Sequence, residues 1–245
     1  MLASLQYAAL KTFCKHAKIL AGAHDRCTRQ SKLDLYFPHV WRDAVKDRSV
    51  IDFGCGPACE LIEMAHAGAT TAYGIEISPR CLQAARERIA ASDVADRCHL
   101  LTSPSCDPVD VIFSFDSFEH FAQPGAILSQ MYALLKPGGT LFISFGPTWL
   151  HPYGGHAFSP FPWAHLLCPE SALVQWRNAH FPGTSIGINS SGLNRITIRH
   201  FLSLCQSSPF TMVELSLVPI RPLKLLHNSL TREFTTSVVR TILRK

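Results

Sequence analysis

Residues 49 to 57 read SVIDFGCGP, an apolar run that ends in an acid and a Gly-x-Gly turn. The apolar residues suit a strand that is buried on both faces of a sheet. Gly54 and Gly56 then give a turn in which no Cβ obstructs an approaching ligand. Pro57 has the fixed φ of a first-turn residue, so we expect a helix over residues 57–67 with its N–H groups directed at the turn. The stretch predicts a strand, a cofactor-binding glycine turn and a helix.

Two classes of cofactor bind such a strand-turn-helix unit: dinucleotides and S-adenosylmethionine. The residue at the third glycine position of the dinucleotide fingerprint, G-x-G-x-x-G, distinguishes them. That position is Cys59, whereas the dinucleotide fingerprint requires Gly or Ala there. Asp52 would place a carboxylate beside a pyrophosphate, but it would attract a cofactor with a cationic amino-acid end. A second buried strand over residues 71–77 carries Glu76 about 20 residues after the glycines, where an acid can accept ribose hydroxyls. Together the two acids favour S-adenosylmethionine over a dinucleotide.

Four motifs in chain order resemble the class I S-adenosylmethionine-dependent methyltransferases, particularly the small-molecule, ubiquinone-pathway-like group. They are VIDFGCGP at 50–57, GIEIS at 74–78, DVIFSFDSFEHF at 110–121 and LLKPGGTLFIS at 134–144. The resemblance implies that Asp52 and the two glycines border the methionine end, that Glu76 holds the ribose and that Ile77 packs on the adenine. Ser103 stands where family members often carry an adenine-binding Asp. The cofactor-binding candidates are Asp52, Gly54, Cys55, Gly56, Glu76, Ile77, Ser103 and Ser114.

The pattern after the glycine turn alternates strands and helices, which indicates parallel strands joined by right-handed crossovers. We expect an α/β fold: a three-layer, Rossmann-like sandwich with a mostly parallel seven-stranded sheet, helices on both faces and an insertion after the fifth strand. The resemblance implies that the seventh strand is antiparallel. Further strands are expected at 99–102, 109–115, 140–145, 211–217 and 233–243, and further helices at 36–45, 79–91, 126–135, 169–180 and 196–205.

The 245 residues are predicted to form a single methyltransferase domain. Its parts are N-terminal helices (1–45), a cofactor-binding core (46–146), a substrate-covering insertion (147–194), and a C-terminal helix and strands (195–245). Residues 2–20 repeat apolar side chains at helical spacing, which predicts an amphipathic helix that packs on the core edge or covers the cofactor. The insertion is rich in Pro, Gly, His and Trp and is too long for a plain connector.

The charge, cysteine content and hydropathy of the chain indicate which partners and which cellular compartment to expect. The net charge is +5 with no run of consecutive basic residues, so nucleic acid is not required as a partner. Nine cysteines form no CxxC pair, which predicts reduced thiols and a cytoplasmic location. Lysines interrupt the apolar N-terminal stretch, so neither a signal peptide nor a membrane span is expected. The sequence does not indicate an oligomeric state.

A possible cation site follows the fourth predicted strand. Asp116, Glu119 and His120 have the i, i+3, i+4 spacing that places side chains on one face of a helix. Such ligands suit Mg²⁺, Mn²⁺, Fe²⁺ or Zn²⁺, and His151 or His156 could add another. The spacing resembles the Glu-x-x-Glu-His motif of ubiquinone-pathway catechol O-methyltransferases and small-RNA 2′-O-methyltransferases, where a divalent ion holds the acceptor oxygens. A Glu-His pair here also occurs in metal-free methyltransferases, where it shapes the pocket.

Without a metal, the catalytic candidates are three histidines, because an imidazole titrates near neutral pH: His120, His156 and His151. A purely structural role for any of them is equally consistent with the sequence. The aromatic residues of the insertion either exclude water and stack on an acceptor, or pack the insertion down.

These observations favour methyl transfer from S-adenosylmethionine to a small molecule, with oxygen as the acceptor atom and a metal or a histidine assisting. An RNA 2′-O-methyltransferase is an alternative that needs a basic track near the pocket. A non-catalytic S-adenosylmethionine-binding protein and a nicotinamide oxidoreductase are further alternatives, and the second of these is disfavoured by Asp52 and Cys59.

Overall fold

The strands form a single mixed sheet. The computed structural model describes residues 30–180, 187–188 and 192–245. The strands in these ranges are β1 Ser49–Phe53, β2 Thr71–Ile75, β3 Cys98–Leu101, β4 Val109–Phe115, β5 Leu135–Phe145, β6 Thr211–Pro219 and β7 Thr236–Arg244. They pair in the order β3-β2-β1-β4-β5-β7-β6. The predicted seven-stranded fold class is confirmed.

The first five strands are parallel, so their carboxyl ends meet at one edge of the sheet. Asp52 in β1 pairs with Gly74 in β2 on one side and with Phe113 in β4 on the other. β7 runs antiparallel to both β5 and β6, as the family resemblance implied. The edge at the carboxyl ends, beside the point where the strand order reverses, is where ligands bind in open α/β sheets.

Helices cover both faces of the sheet. They are α1 Lys32–Tyr36, α2 Trp41–Val45, α3 Cys59–His66, α4 Pro79–Ala90, α5 Pro124–Leu134, α6 Ala164–Leu167, α7 Glu170–His180, α8 Ile198–Ser207 and α9 Arg232–Thr235. Single-turn 3₁₀ segments lie at Ala95–Arg97, Phe118–His120 and His156–Phe158, and a longer one at Arg221–Leu226. Side-chain caps begin three of the described helices: Ser31 accepts from Asp34 N ahead of α1, Ser78 from Cys81 N ahead of α4, and Thr197 from His200 N ahead of α8.

Several boundaries differ from the sequence predictions, and three of these differences change the local structure. The helix after the glycine turn begins at Cys59 instead of Pro57, because Ala58 takes a left-handed conformation with φ 65°. The single helix expected over 36–45 is replaced by α1 and α2, which flank Pro38. Residues 136–139, which lie between the helix expected over 126–135 and the strand expected over 140–145, belong to β5. The pairing of β5 with β4 shifts register between Val109 and Val111.

Two apolar clusters lie on the two faces of the sheet. One includes Trp41 from α2 and Leu61 from α3, and the other includes Met131 from α5 and Phe201 from α8. Each of these side chains is almost fully buried, and burying one contributes about 1.5 to 3 kcal/mol. The clusters fix the helices against the sheet and leave the carboxyl edge of the strands free to form a site.

The described part of the insertion after β5 has a core of its own. Phe158, Leu173 and Trp176 are buried against one another together with smaller apolar residues. The predicted division into four parts stays a prediction, as does the substrate-covering role of residues 147–194. The helix predicted over residues 2–20 lies outside the described residues.

The cysteines depart from expectation at one position. Six of those described are free thiols: Cys55, Cys81, Cys98, Cys106, Cys168 and Cys205. Cys59 is disulfide-bonded, so the prediction of reduced thiols throughout is wrong for this residue. Across the described residues, every helix is too short or too polar to cross a membrane.

Candidate functional site

A cavity of about 420 Å³ opens at the carboxyl edge of the sheet. The loops after β1, β2 and β4 form its walls, and α1 contributes Lys32. Its polar and charged lining includes Lys32, Asp52, Glu60, Glu76, Asp116, Ser117, His120 and Gln130. Binding sites for small molecules have volumes of roughly 300 to 1,000 Å³. These loops therefore enclose a space suited to a small-molecule ligand.

The glycine turn closes one side of this cavity. Gly54 N and Cys55 N both donate to Ile75 O, at 2.8 and 3.1 Å, which ties the turn to the end of β2. Gly54 and Gly56 have φ values of 85° and 52°, a region that side chains disfavour. A Cβ on Gly54 would also collide with the Ser117 hydroxyl, whereas one on Gly56 would meet no atom within 4 Å. The turn thus needs glycine for its conformation and presents bare backbone to the cavity.

The Glu76 carboxylate is held in one orientation at the end of β2. Its Oε2 accepts from Gly56 N at 3.0 Å. Its Oε1 accepts from Ile77 N and Ser78 N, each at 2.7 Å. A carboxylate has about four lone-pair positions, so these three bonds orient it and leave acceptor capacity for a ligand hydroxyl.

Acidic groups outnumber basic ones around the cavity. Among the described residues, Asp52, Glu60, Glu76 and Asp116 line it together with one lysine, Lys32. Burial raises the pKa of Asp52 well above its usual range; the Glu60 carboxylate raises it further and Lys32 opposes the shift. A cationic ligand would relieve this repulsion and favour the ionised form of Asp52.

Lys32 and Tyr36 of α1 hold Asp116 at the mouth of the cavity. Lys32 Nζ lies 3.1 Å from Asp116 Oδ2, and the Tyr36 hydroxyl donates to Oδ1 at 3.1 Å. Burial lowers the pKa of Lys32, but the nearby carboxylates, chiefly Asp116, raise it by more. The pKa of Lys32 therefore lies above its usual value. Burial, followed by the Asp116 charge, raises the pKa of Tyr36. Asp116 is therefore joined to α1 through both of its carboxylate oxygens.

The predicted cation cluster is wrong in its geometry. Asp116 has φ 48°, and only Phe118–His120 forms a turn of 3₁₀ helix, so the i, i+3, i+4 face does not exist. Asp116 pairs with α1, whereas Glu119 is buried beneath Gly146. Across the described ranges, no three His, Cys, Asp or Glu side chains are arranged to hold a metal ion.

Glu119 is a buried acid outside the cavity. Its side chain is 3% exposed, and Oε1 accepts from Gly146 N at 3.3 Å. Oε2 has no hydrogen-bond partner among the described residues. Burial, followed by the Asp116 charge, raises the pKa of Glu119 to about 8. The residue is therefore protonated at neutral pH and joins the β4 turn to the start of the insertion.

The three predicted catalytic histidines have different surroundings. Only His120 lines the cavity. The ring of His156 stands against it, with centroids 5.6 Å apart. Burial lowers the pKa of His156 to about 4, with a smaller contribution from His120. Burial likewise lowers the pKa of His151 to about 4, and His151 Nδ1 accepts from Tyr153 N.

Two of the predicted cofactor contacts lie away from the cavity. Ser103 is exposed, and its neighbours Thr102 and Pro104 line the cavity instead. Ser114 is fully buried inside β4 and does not reach the cavity. By contrast, Ile77 lines the cavity and is 81% exposed; its contact with an adenine ring stays a prediction.

The aromatic residues of the insertion mainly pack the insertion itself. Phe158 and Trp176 are buried, and Trp149 contacts the ring of His165 with centroids 4.7 Å apart. His165 bridges Ser159 Oγ at 2.8 Å and Trp149 O at 2.6 Å. None of these described residues lines the cavity, so the packing role is the one that the structure supports.

Sequence reasoning missed several lining residues. Lys32, Glu60 and Phe121 belong to the cavity wall, although none of them was among the expected binding residues. Glu60 could have been suspected because it opens the helix after the glycine turn. Lys32 and Phe121 become neighbours of the turn only through the folding of distant segments.

A family model described as a methyltransferase domain matches residues 25–182, more than half of the chain. The chain belongs to this methyltransferase-domain family. The family resemblance inferred from the four motifs is thereby confirmed.

Curated relatives match this methyltransferase domain over part of their length. A ribosomal protein L11 methyltransferase of Haemophilus influenzae is 38% identical over 109 residues, which are 42% of this chain and 36% of the relative. A ubiquinone biosynthesis O-methyltransferase of Neisseria meningitidis is 31% identical over 106 residues, 41% of this chain and 44% of the relative. The matches thus span less than half of these relatives.

Solved structures confirm the fold. A mycolic acid cyclopropane synthase, complexed with SAH and CTAB, superposes with a TM-score of 0.59 at 17% identity, covering 87% of this chain and 83% of that one. An S-adenosylmethionine-dependent methyltransferase from Mesorhizobium loti gives a TM-score of 0.55 at 16% identity, over 82% and 93% of the two chains.

Proposed function

We propose that this chain transfers a methyl group from S-adenosylmethionine to a small-molecule acceptor, with oxygen as the acceptor atom. The observation that carries the proposal is the contact between Glu76 Oε2 and Gly56 N at the cavity wall. It fixes an acid where a ribose would lie beside a turn of bare backbone. The family membership of the chain supports the same activity.

The charges around the cavity favour this cofactor over a dinucleotide. Its methionine end carries a sulfonium and an ammonium, which Asp52, Glu60 and Asp116 would attract. A pyrophosphate in that position would meet the same carboxylates, and two like charges 4 Å apart repel by about 1 kcal/mol in water and about 4 kcal/mol near a protein surface. Ile77 and Phe121 line the cavity and offer apolar surface to an adenine ring.

S-adenosylmethionine supplies an activated methyl group and its leaving group when bound. The protein must therefore align the acceptor and remove its proton. His120 is the described histidine that faces the cavity, and we assign it the role of the base that accepts the proton of the acceptor hydroxyl. Alignment contributes much of the rate in reactions of this kind, and a positioned base contributes about 10² to 10⁴-fold.

The insertion lies beside the place where the acceptor would enter. His156 at its 3₁₀ turn contacts the ring of His120, which joins the insertion to the cavity wall. This contact supports the proposed covering role. The neutral state of His156 at neutral pH fits a residue that packs against the base, because it adds no charge that would hinder proton acceptance.

Acceptor class is tested with S-adenosylmethionine that carries a labelled methyl group. The enzyme is incubated separately with hydroxylated small molecules, with RNA and with a ribosomal protein fraction, and Glu76→Ala is run in parallel. We expect label in the small-molecule fraction and its loss in the variant. Label confined to RNA or to protein would contradict a small-molecule acceptor, and the Haemophilus relative's name makes the protein arm necessary.

A further inference from the structure

The segment that joins β6 to β7, residues 220–235, exposes large apolar side chains. Leu225 and Leu230 are 99% and 88% exposed, and Leu226 and Phe234 are 59% and 43% exposed. Leucine and phenylalanine are among the residues most often buried in folded proteins. A cluster of them on one short excursion of the chain marks an interaction surface. We call residues 220–235 the β6–β7 loop.

Polar side chains give this loop its defined conformation. Asn228 Oδ1 accepts from Leu230 N at 2.9 Å and from Thr231 N at 3.3 Å, and Asn228 Nδ2 donates to Leu226 O. His227 Nδ1 and Thr235 Oγ1 share a hydrogen bond of 2.8 Å. The polar groups are thus used within the loop while the leucines point into solvent. In most folded proteins leucines are buried and polar side chains face the solvent, so this loop shows the reverse arrangement.

The loop is also positively charged. Arg221, Lys224 and Arg232 lie among the leucines, and Glu233 is the only acid in its sequence. Glu233 accepts from Ile198 N at 3.0 Å and from Arg199 N at 2.7 Å, so it faces the start of α8. The ion pairs recorded for the described residues include none of the three cations.

The loop lies at the same edge of the sheet as the cavity. β5 and β6 both run antiparallel to β7 and are therefore parallel to each other. Val239 in β7 pairs with Phe145 at the end of β5 and with Leu217 near the end of β6. The residues that follow Pro219 consequently emerge at the carboxyl edge of the strands.

We propose that the β6–β7 loop docks on an anionic phospholipid surface. Exposed leucines among arginines and lysines are typical of segments that lie in the membrane interface, with apolar side chains among the acyl chains and cations at the lipid phosphates. A second copy of this chain would bring the same positive charges against the loop, so charge complementarity favours an anionic partner. The inference is independent of methyl transfer, and docking would turn the cavity edge of the sheet towards the lipid.

Flotation of the full-length protein with lipid vesicles tests this surface. We expect the protein to float with vesicles of phosphatidylcholine mixed with phosphatidylglycerol and to bind phosphatidylcholine alone at least about tenfold more weakly. Leu225→Ser combined with Leu230→Ser should lower the partition coefficient on anionic vesicles by at least about tenfold. Arg221→Glu combined with Lys224→Glu should abolish the preference for anionic lipid.

A matched control uses two exposed apolar residues at the opposite end of β6, Met212 and Val213, which are 37% and 51% exposed. Met212→Ser combined with Val213→Ser should leave the partition coefficient unchanged. Circular dichroism verifies that each variant is folded. Absence of parent binding to anionic vesicles, or equal loss in the control, would overturn the proposal. So would sedimentation that shows self-association of the parent and its loss in the leucine variant.

Discussion

The Tyr36 hydroxyl donates a hydrogen bond to Asp116 Oδ1 over 3.1 Å and so joins α1 to the turn after β4. The Tyr36 ring also lies against Phe115, with centroids 6.1 Å apart. Lys32 binds the other carboxylate oxygen. One face of the cavity is thus built from a helix that lies 80 positions away in the chain from the turn it holds.

Removing the Tyr36 hydroxyl measures how much its hydrogen bond to Asp116 stabilises the contact between α1 and the turn after β4. Tyr36→Phe keeps the ring contact but leaves Asp116 with one partner fewer. A hydrogen bond to a charged group contributes about 1.5 to 3 kcal/mol, and we expect the free energy of unfolding in urea to fall by about that amount. Tyr73→Phe is the control, because Tyr73 does not line the cavity. An equal effect of both substitutions would contradict the proposed link.

Ionisation of Asp52 should be coupled to cofactor binding. Its pKa is raised in the free protein, and a cationic ligand lowers it, so binding releases a proton and affinity increases with pH. Titration calorimetry in buffers of different ionisation enthalpy, at about pH 5 to 7 to avoid the amino group of the ligand, measures this release. Asp52→Asn should bind more weakly and release no proton from this position. Proton uptake by the parent protein when S-adenosylmethionine binds would contradict this coupling.

His120→Ala separates catalysis from cofactor binding. If His120 accepts the acceptor proton, the substitution should lower kcat by about 10² to 10⁴-fold while the Kd for S-adenosylmethionine changes little. His151→Ala serves as the matched control, since His151 does not line the cavity. Both variants are compared by single-turnover transfer of labelled methyl once the acceptor class is known. Comparable rates for the parent and His120→Ala would remove His120 from the mechanism.

Glu119 should make the protein less stable at alkaline pH. Its pKa is about 8 in the folded state, against 4.5 as the usual value, so the folded state holds an extra proton between these limits. The free energy of unfolding therefore falls as pH increases from about 4.5 to about 8, by up to about 1.4 kcal/mol per pH unit from this group. Glu119→Gln should remove this component, as measured by urea denaturation at a series of pH values. An equal decline in the parent and in Glu119→Gln would show that Glu119 does not cause the loss of stability. Glu87→Gln is the control, because Glu87 is an exposed glutamate.

The fold and one half of the site follow from local sequence. The glycine turn, Asp52 and Glu76 were predictable because each is adjacent to a buried strand, and strand ends converge in a parallel sheet. The other half depends on contacts between distant segments. Asp116 was misplaced because its left-handed conformation is stabilised by partners in α1, and no spacing in residues 116–120 reveals them.

The contacts of the insertion after β5 could also not be predicted from local sequence. Its aromatic and histidine content indicated a functional segment, but composition cannot distinguish side chains that face a ligand from those that form a small core. The structure places Phe158 and Trp176 in such a core. It brings His156 against the ring of His120 and Asn194 Nδ2 within hydrogen-bond distance of Phe121 O, both residues of the cavity wall. The exposed leucines of the β6–β7 loop were also not distinguishable in sequence from core residues.

The central claim is that the cavity beside the glycine turn binds S-adenosylmethionine through Glu76. Titration calorimetry with S-adenosylmethionine, and with NAD⁺ as the competing ligand, measures it directly. We expect one molecule of S-adenosylmethionine bound per chain, no measurable heat from NAD⁺, and a loss of about 1 to 3 kcal/mol of binding free energy in Glu76→Ala with Glu87→Ala unchanged. Equal affinity of the parent and Glu76→Ala, or binding of NAD⁺ in preference, would contradict it.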